Sequence, residues 1–295
     1  MRVFVTGATG FIGSAIIPEL INAGHQVLGM ARSDAGAEAL VAAGAEVHRG
    51  DLEDLESLRS GAADSDGVIH CAFIHDFSKF QENCEIDRRA VETLGAALVG
   101  SERPLVVTSG TAMARTPGRA ATEEDRPIST LPRVASELAA DAVAAQGVRA
   151  SVVRLPQVHD PYKQGLVTYL IALARDKGIS AYVGDGLNHW PAVHRLDAAH
   201  LYRLALEKGT AGARYHAVAE EGVPLREIAE AVGRGLKVPA VSLSPEDAAT
   251  HFGWLGMFVG ADLQVSSALT QQWLGWHPTP TLPGMIADLN EAKFV

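Results

Sequence analysis

Tyrosine is absent from the first 161 residues of this 295-residue chain; the earliest is Tyr162. A site built from that half alone has no phenol with which to donate a proton. Cysteine is nearly as scarce, and the two present, Cys71 and Cys84, lack the spacing of metal ligands. Two reduced structural thiols are expected, with no metal site and no disulfide. Positive charge is short as well: 25 Lys and Arg face 35 Asp and Glu, a formal net charge of -10. That balance argues against nucleic acid or an anionic membrane as partner. No apolar run is long enough to span a bilayer, and the first strand-like run begins at residue 2, leaving no room for a signal peptide. The expectation is a cytoplasmic protein that acts on a small molecule.

What the chain does have is a glycine-rich turn, Thr6-Gly7-Ala8-Thr9-Gly10-Phe11-Ile12-Gly13, between the apolar run Val3-Phe4-Val5 and a helix-like run from Ile12 to Ala23. Gly7 permits the tight turn, Gly10 lets backbone N–H groups approach a pyrophosphate, and Gly13 allows the helix to pack on the strand. This context marks a dinucleotide site formed by Gly7, Thr9, Gly10, Phe11, Ile12 and Gly13. The next apolar run ends at Ala31-Arg32-Ser33, where an NAD-preferring site places an acidic residue. Arg32 and Ser33 suit a 2′-phosphate instead, the arginine through its permanently charged planar fork. NADP is therefore expected as the cofactor, ahead of NAD.

Further on, a helix over 34–43 and a strand over 46–49 lead to Gly50-Asp51-Leu52, where Asp51 can accept from an adenine amino group or cap a helix starting near Leu55. A strand over 67–72, in which His70 reads as a packed residue, is followed by a helix over 79–99. A strand over 104–108 then ends in Thr108-Ser109-Gly110-Thr111, and a helix over 132–146 and a strand over 150–155 follow. Such alternation specifies a doubly wound parallel α/β sheet that binds ligands at its strands' carboxyl ends. From Pro156 the pattern changes. Gly184-Asp185-Gly186 and Trp190-Pro191 mark loops, 197–208 is helical, 214–218 returns as a strand, and 224–234 and 266–273 read as helices. The expected organisation is a dinucleotide-binding domain over 1–155 with a return segment at 193–218. A smaller helical lobe over 156–192 and 219–295 would bind substrate.

The glycine turn, Gly50-Asp51-Leu52, Val68-Ile69-His70-Cys71-Ala72, Val106-Val107-Thr108-Ser109-Gly110 and the run from Arg154 to Pro161 occur in an order that resembles a known family. So do Gly184 to Asn188, Val193 to Ala199 and Leu274 to Thr279. The chain is similar throughout to extended or atypical short-chain dehydrogenases/reductases of the NAD(P)-dependent epimerase/dehydratase superfamily. The resemblance implies a parallel Rossmann sheet with a C-terminal substrate-binding lobe. It also implies cofactor contacts at Asp51, Leu52, Cys71, Ala72, Phe73, Thr108, Pro156, Gln157 and Val158.

In that family a Tyr-x-x-x-Lys pair, assisted by a Ser or Thr and often an Asn, carries the chemistry. With Ser136-Glu137 aligned on the family's Ser-Lys, the Tyr falls on Arg133 and the Lys on Glu137. Both family residues are missing. The Asn position falls on Asp87 and the Ser/Thr position near Ser109 to Thr111, with Gly110 at the most literal match. Arg133 and Glu137 are expected to form an i,i+4 ion pair in the vacated place. The remaining catalytic candidates are Ser109 and Thr111, which would orient a carbonyl, and Tyr162 as a substitute proton donor. His159, His189 and His194 read as pocket-lining or loop residues. The leading expectation is an NADP(H)-dependent oxidoreductase that moves hydride to or from a small carbonyl-type substrate with an atypical active site. The alternative is a non-catalytic NADP(H)-binding sensor. A sugar-nucleotide epimerase or dehydratase ranks third because it depends on the missing tyrosine. The resemblance also implies a homodimer.

Overall fold

The computed structural model describes residues 1–116, 118–128 and 130–292; the last three positions of the lobe expected over 219–295 lie outside the described residues. The first half of the chain forms β1 (Arg2–Thr6), α1 (Gly13–Asn22), β2 (Gln26–Ala31), α2 (Asp34–Ala42), β3 (Glu46–Arg49) and α3 (Leu55–Ala63). It continues through β4 (Gly67–His70), α4 (Phe80–Ala96), β5 (Pro104–Gly110), α5 (Val134–Ala145) and β6 (Arg149–Leu155). The second half holds β7 (Gln157–Asp160), β8 (Lys163–Gln164), α6 (Val167–Lys177), β9 (Ser180–Val183), β10 (His189–His194), α7 (Arg195–Lys208) and β11 (Arg214–His216). After these come β12 (Glu220–Pro224), α8 (Leu225–Leu236), β13 (Ala240–Leu243), α9 (Pro245–Phe252), α10 (Gly256–Val259), α11 (Ala268–Leu274) and α12 (Met285–Glu291).

Seven parallel strands make the main sheet, in the order β11-β6-β5-β4-β1-β2-β3. The strands between the two edges are largely apolar on both faces because helices cover both. Successive side chains of a strand point to opposite faces. Val3 and Val5 of β1 accordingly join Ile16, Leu20, Leu201 and Tyr202 in the core on the α1 and α7 side. Phe4 packs with Leu58, Val91, Leu105 and Val143 on the α3 to α5 side. The strand order reverses between β1 and β4, and in an open α/β sheet ligands bind in the crevice outside the strand ends at that point. Ser33 caps α2 by accepting from the Gly36 N–H, and Asp54 caps α3 by accepting from the Glu56 and Ser57 N–H groups. The cap near Leu55 is therefore Asp54; Asp51 accepts from the Glu53 N–H instead.

The smaller lobe departs from the helical expectation. It contains a four-stranded sheet, β12-β10-β7-β8, and a two-stranded one, β13-β9. Trp190-Pro191, expected in a loop, lies inside β10. Pro191 is tolerated there because the register with β12 shifts between Trp190 and Ala192, a place where no ladder N–H is required. Trp190 is fully buried and its indole N–H donates to the Phe258 carbonyl at 3.2 Å. The chain builds β7 to β10 in this lobe, returns through α7 to pair β11 with β6, and leaves again. Among the described residues, no helix is long and apolar enough to cross a membrane.

Candidate functional site

The glycine turn connects β1 to α1 and faces the crevice. Gly7 has φ of +67°, and a Cβ there would stand 2.7 Å from the Ala72 nitrogen. A Cβ on Gly13 would stand 2.1 Å from the Gly7 carbonyl oxygen, so any side chain would push α1 off the turn. Gly10 is restricted only by that same oxygen, at 3.1 Å, and is otherwise open on the side a ligand would approach. The Ser14 N–H closes the first helical bond on the Gly10 carbonyl, while those of Phe11, Ile12 and Gly13 find no acceptor among the described residues. Free N–H groups at the positive end of a helix are what an anionic phosphate needs. Across the crevice, the Arg195 guanidinium lies 5.0 Å and the Lys163 ammonium 5.6 Å from the centre of the Phe11 ring. Sequence reasoning assigned neither cation to the turn, because Lys163 reaches it from the other lobe and Arg195 from the return segment. Thr6 fixes the end of β4 against the turn: its carbonyl accepts from the Cys71 thiol at 3.0 Å and its hydroxyl from the Ala72 N–H at 3.4 Å.

At the end of β2, Arg32 is largely exposed and stands 3.6 Å from the Asp51 carboxylate. Leu52 is buried behind them. Pro156 joins β6 to β7; Gln157 accepts from the Leu166 N–H at 2.8 Å, and Val158 packs into the core.

Arg133 precedes the first turn of α5 and reaches over the end of β5. One terminal nitrogen donates to Asp87 on α4 and to the Ser136 hydroxyl, each at 2.5 Å, and the other to the Thr108 carbonyl at 2.9 Å. Its guanidinium lies 4.1 Å from the centre of the Phe73 ring. Asp87 also accepts from Ser136, and its second oxygen meets His70 Nε2 at 3.1 Å, while His70 Nδ1 meets the Thr6 hydroxyl at 2.8 Å. Burial by itself raises the Asp87 pKa, but the Arg133 charge, His70 and Ser136 hold it well below the usual carboxylate range. A buried polar chain thus runs from the glycine turn to a fixed cation at the carboxyl end of the sheet.

The expected Arg133–Glu137 ion pair does not form. Glu137 is buried and turned into the protein, where Arg154 binds both its oxygens at 2.9 and 2.8 Å and Arg214 binds one at 2.8 Å. Burial pushes its pKa up, yet Arg154 and Arg214 keep it lowered. Glu137 therefore faces this internal network while Arg133 faces the crevice, and the buried Ser109 hydroxyl has no hydrogen-bond partner among the described residues. Thr111 is buried in the turn after β5. Tyr162 is 85% exposed at the β7–β8 turn. Tyr202, which sequence reasoning passed over, is fully buried on α7, and its phenol shares a 2.6 Å hydrogen bond with the Thr108 hydroxyl. Burial raises its pKa well above the ordinary value, making it a weak acid. Among the other histidines, His159 is buried against Asp288 at 2.6 Å, His189 binds Asp262 at 3.0 Å, and His194 caps α7.

His216 extends the Glu137 network: its Nε2 lies 3.2 Å from Arg154, and its Nδ1–H donates to the Ser266 carbonyl at 2.8 Å. Burial and then the Arg154 charge push its pKa down to about 4. A histidine held neutral in the fold contributes stability that is complete above its unfolded value near 6.5 and is lost as pH falls through 4. The melting temperature is expected to drop by several degrees across that window, and His216→Gln to flatten the drop. An unchanged pH slope in the variant would count against this assignment.

The sequence profile of the NAD dependent epimerase/dehydratase family matches residues 3–219. The chain is 52% identical to an uncharacterized protein of Schizosaccharomyces pombe, over 95% of each chain. It is 46% identical to an uncharacterized protein of Saccharomyces cerevisiae, over 98% of each. Among solved structures, the dTDP-glucose 4,6-dehydratase of Streptomyces venezuelae shares the fold with a TM-score of 0.79 and 20% identity, over 99% of this chain and 96% of that one. A crevice at the strand-order reversal, a glycine turn with free N–H groups and a profile match across the whole main sheet agree: the chain belongs to the NAD dependent epimerase/dehydratase family.

Proposed function

We propose that this protein is an NADP(H)-dependent oxidoreductase that transfers hydride to or from a small carbonyl-type substrate. The observation that carries this reading is the fixed guanidinium of Arg133, held by Asp87, Ser136 and the Thr108 carbonyl at the carboxyl end of β5. The free N–H groups of Phe11, Ile12 and Gly13 fit a pyrophosphate, with Thr9 and Gly10 beside them. Arg32 and Ser33 fit a 2′-phosphate, and Asp51 and Leu52 the adenine side. Cys71, Ala72, Phe73, Thr108 and Pro156 to Val158 surround the nicotinamide end. When bound, the dinucleotide supplies or accepts the hydride.

Arg133 is permanently charged, so it stabilises negative charge growing on a carbonyl oxygen and cannot give that oxygen its proton. Water in the open crevice completes the alcohol. Thr111 lies near enough in sequence to the strand end to orient the carbonyl, and the lobe over 156–192 and 219–295 supplies the substrate side. The exposed Val99 and Leu138, beside α4 and on α5, support dimerisation through those helices.

The cofactor assignment is checked by Arg32→Ala, which should weaken NADPH binding by on the order of tenfold while leaving NADH unaffected, since a charge-assisted bond to phosphate is lost. Equal NADPH affinity in the variant and the parent would refute the role of Arg32. One observation favours a second reading: α5 carries neither Tyr nor Lys. A protein that binds NADPH tightly yet oxidises it with no member of a panel of aldehydes, ketones, imines and diols would be the sensor.

A further inference from the structure

Seven rings from both sides of the crevice form one connected cluster. Phe73, His75, Phe77 and Phe80 come from the segment after β4; Tyr169 on α6, Trp254 just before α10 and Phe258 on α10 come from the smaller lobe. Phe77 and Trp254 are stacked, with centroids 4.4 Å apart and planes 13° from parallel. Tyr169 meets them edge-on, at 5.9 and 5.3 Å. Phe80 contacts Phe77 at 5.7 Å and Phe73 at 6.3 Å. His75 joins Phe73 to Phe77, at 5.4 and 6.3 Å. Inward, the cluster ends at the Phe73 ring under Arg133. Outward it is open, with Trp254 42% and Tyr169 37% exposed.

Rings placed for stability alone would sit in the cores, as Trp190 does. Phe73, Phe77, Phe80, Tyr169 and Trp254 belong to none of the four buried apolar clusters. Their arrangement is that of a recognition surface, since half-exposed aromatic groups with a fixed polar group at one end are the usual lining of a small-molecule site. The stacked pair has one ring from each lobe. A planar ring entering between them would have to part the lobes, and would then meet the same stacking geometry on each face. At the inner end, Gly110 leaves space: a Cβ there would meet only the Leu155 carbonyl, at 3.9 Å. The faces on offer are uncharged, and the one cation stacked on the cluster among the described residues, Arg133, is already paired with Asp87.

We propose that this cluster recognises the planar ring of an aromatic aldehyde or ketone, received between Phe77 and Trp254 with its carbonyl directed along Phe73 toward Arg133. The proposal rests on the carbonyl-reduction reading above. In the reaction, hydride from NADPH forms a C–H bond at the carbonyl carbon, the C=O π pair moves to oxygen, and a water proton completes the alcohol, leaving NADP⁺.

The test compares trans-cinnamaldehyde, its counterpart with a non-planar ring, trans-3-cyclohexylpropenal, and UDP-glucose by calorimetric titration and by NADPH oxidation, in the parent and in Trp254→Leu. The partly exposed site tolerates this change, which circular dichroism would verify. Cinnamaldehyde should bind about tenfold more tightly than the cyclohexane compound, and Trp254→Leu should remove most of that preference. Equal affinity for the two aldehydes, tighter binding of UDP-glucose, or a preference that survives Trp254→Leu would overturn the proposal. Reduction of cinnamaldehyde with kcat/KM unchanged in the variant would leave the reductase reading standing and remove this one. Trp254-dependent binding of the planar ring with no turnover of any carbonyl would retain the ring site and remove the reductase reading.

Discussion

Glu137→Gln is expected to lower the unfolding free energy by about 3–5 kcal/mol, the usual cost of removing one partner from a buried ion pair. Glu137 and Arg154 are both fully buried. Among the described residues Glu137 is the carboxylate paired with Arg154, whose other contacts are the Asp125 carbonyl at 3.1 Å and the uncharged His216 ring. The substitution keeps the shape and removes the charge, so the Arg154 guanidinium stays in the interior uncompensated. Arg214 retains Asp141 at 2.7 Å and is less affected. Urea denaturation reads the result as a lower midpoint at constant slope. A loss below about 1 kcal/mol, the range of exposed pairs, would mean that water reaches Arg154 in the native state.

Arg133→Met should reduce kcat/KM for carbonyl reduction by about 10²–10³-fold, the range seen when one fixed donor to a developing oxyanion is removed. The loss should fall mainly on kcat, with NADPH affinity changed less, because of the cofactor contacts assigned above only Phe73 and Thr108 touch Arg133, while the glycine turn, Arg32 and Asp51 lie elsewhere. Arg133→Lys keeps the charge but loses the planar fork that binds Asp87, Ser136 and the Thr108 carbonyl together, so it should recover only a small part. Wild-type kcat in Arg133→Met would remove this residue from the chemistry.

The two arginines show what the sequence could reveal and what it could not. The glycine turn was legible because its requirements are local: the positive φ at Gly7 and the close approach at Gly13 involve residues next to each other in the chain or on the adjoining strand. Five of the six strands of the first half were legible as apolar runs, since helices cover both faces of the sheet; β3, Glu46-Val47-His48-Arg49 at the sheet edge, was legible only from its place in the alternation. The Arg133–Glu137 pair was misread because spacing reports only neighbours on one helix. The helix begins at Val134, so Arg133 stands before it, and both residues find partners from distant segments: Asp87 on α4, Arg154 on β6 and Arg214 on β11. The strands of the smaller lobe escaped notice for another reason. At two to six residues they are too short to display an alternation, and Pro191 interrupts one of them at its register shift.

The return of the chain to the main sheet has a consequence for biosynthesis. β6 is paired on one side by β5, but its other edge is covered only by β11, more than fifty residues later in the chain. During synthesis the sheet therefore waits with an open edge while the whole run from β7 to α7 emerges. The main domain cannot close before part of its companion has been made. A fragment ending at Leu155 would present that bare edge to solvent, which favours self-association over a stable half-protein. The lobes of this protein are separate in space but are not separable as pieces of chain.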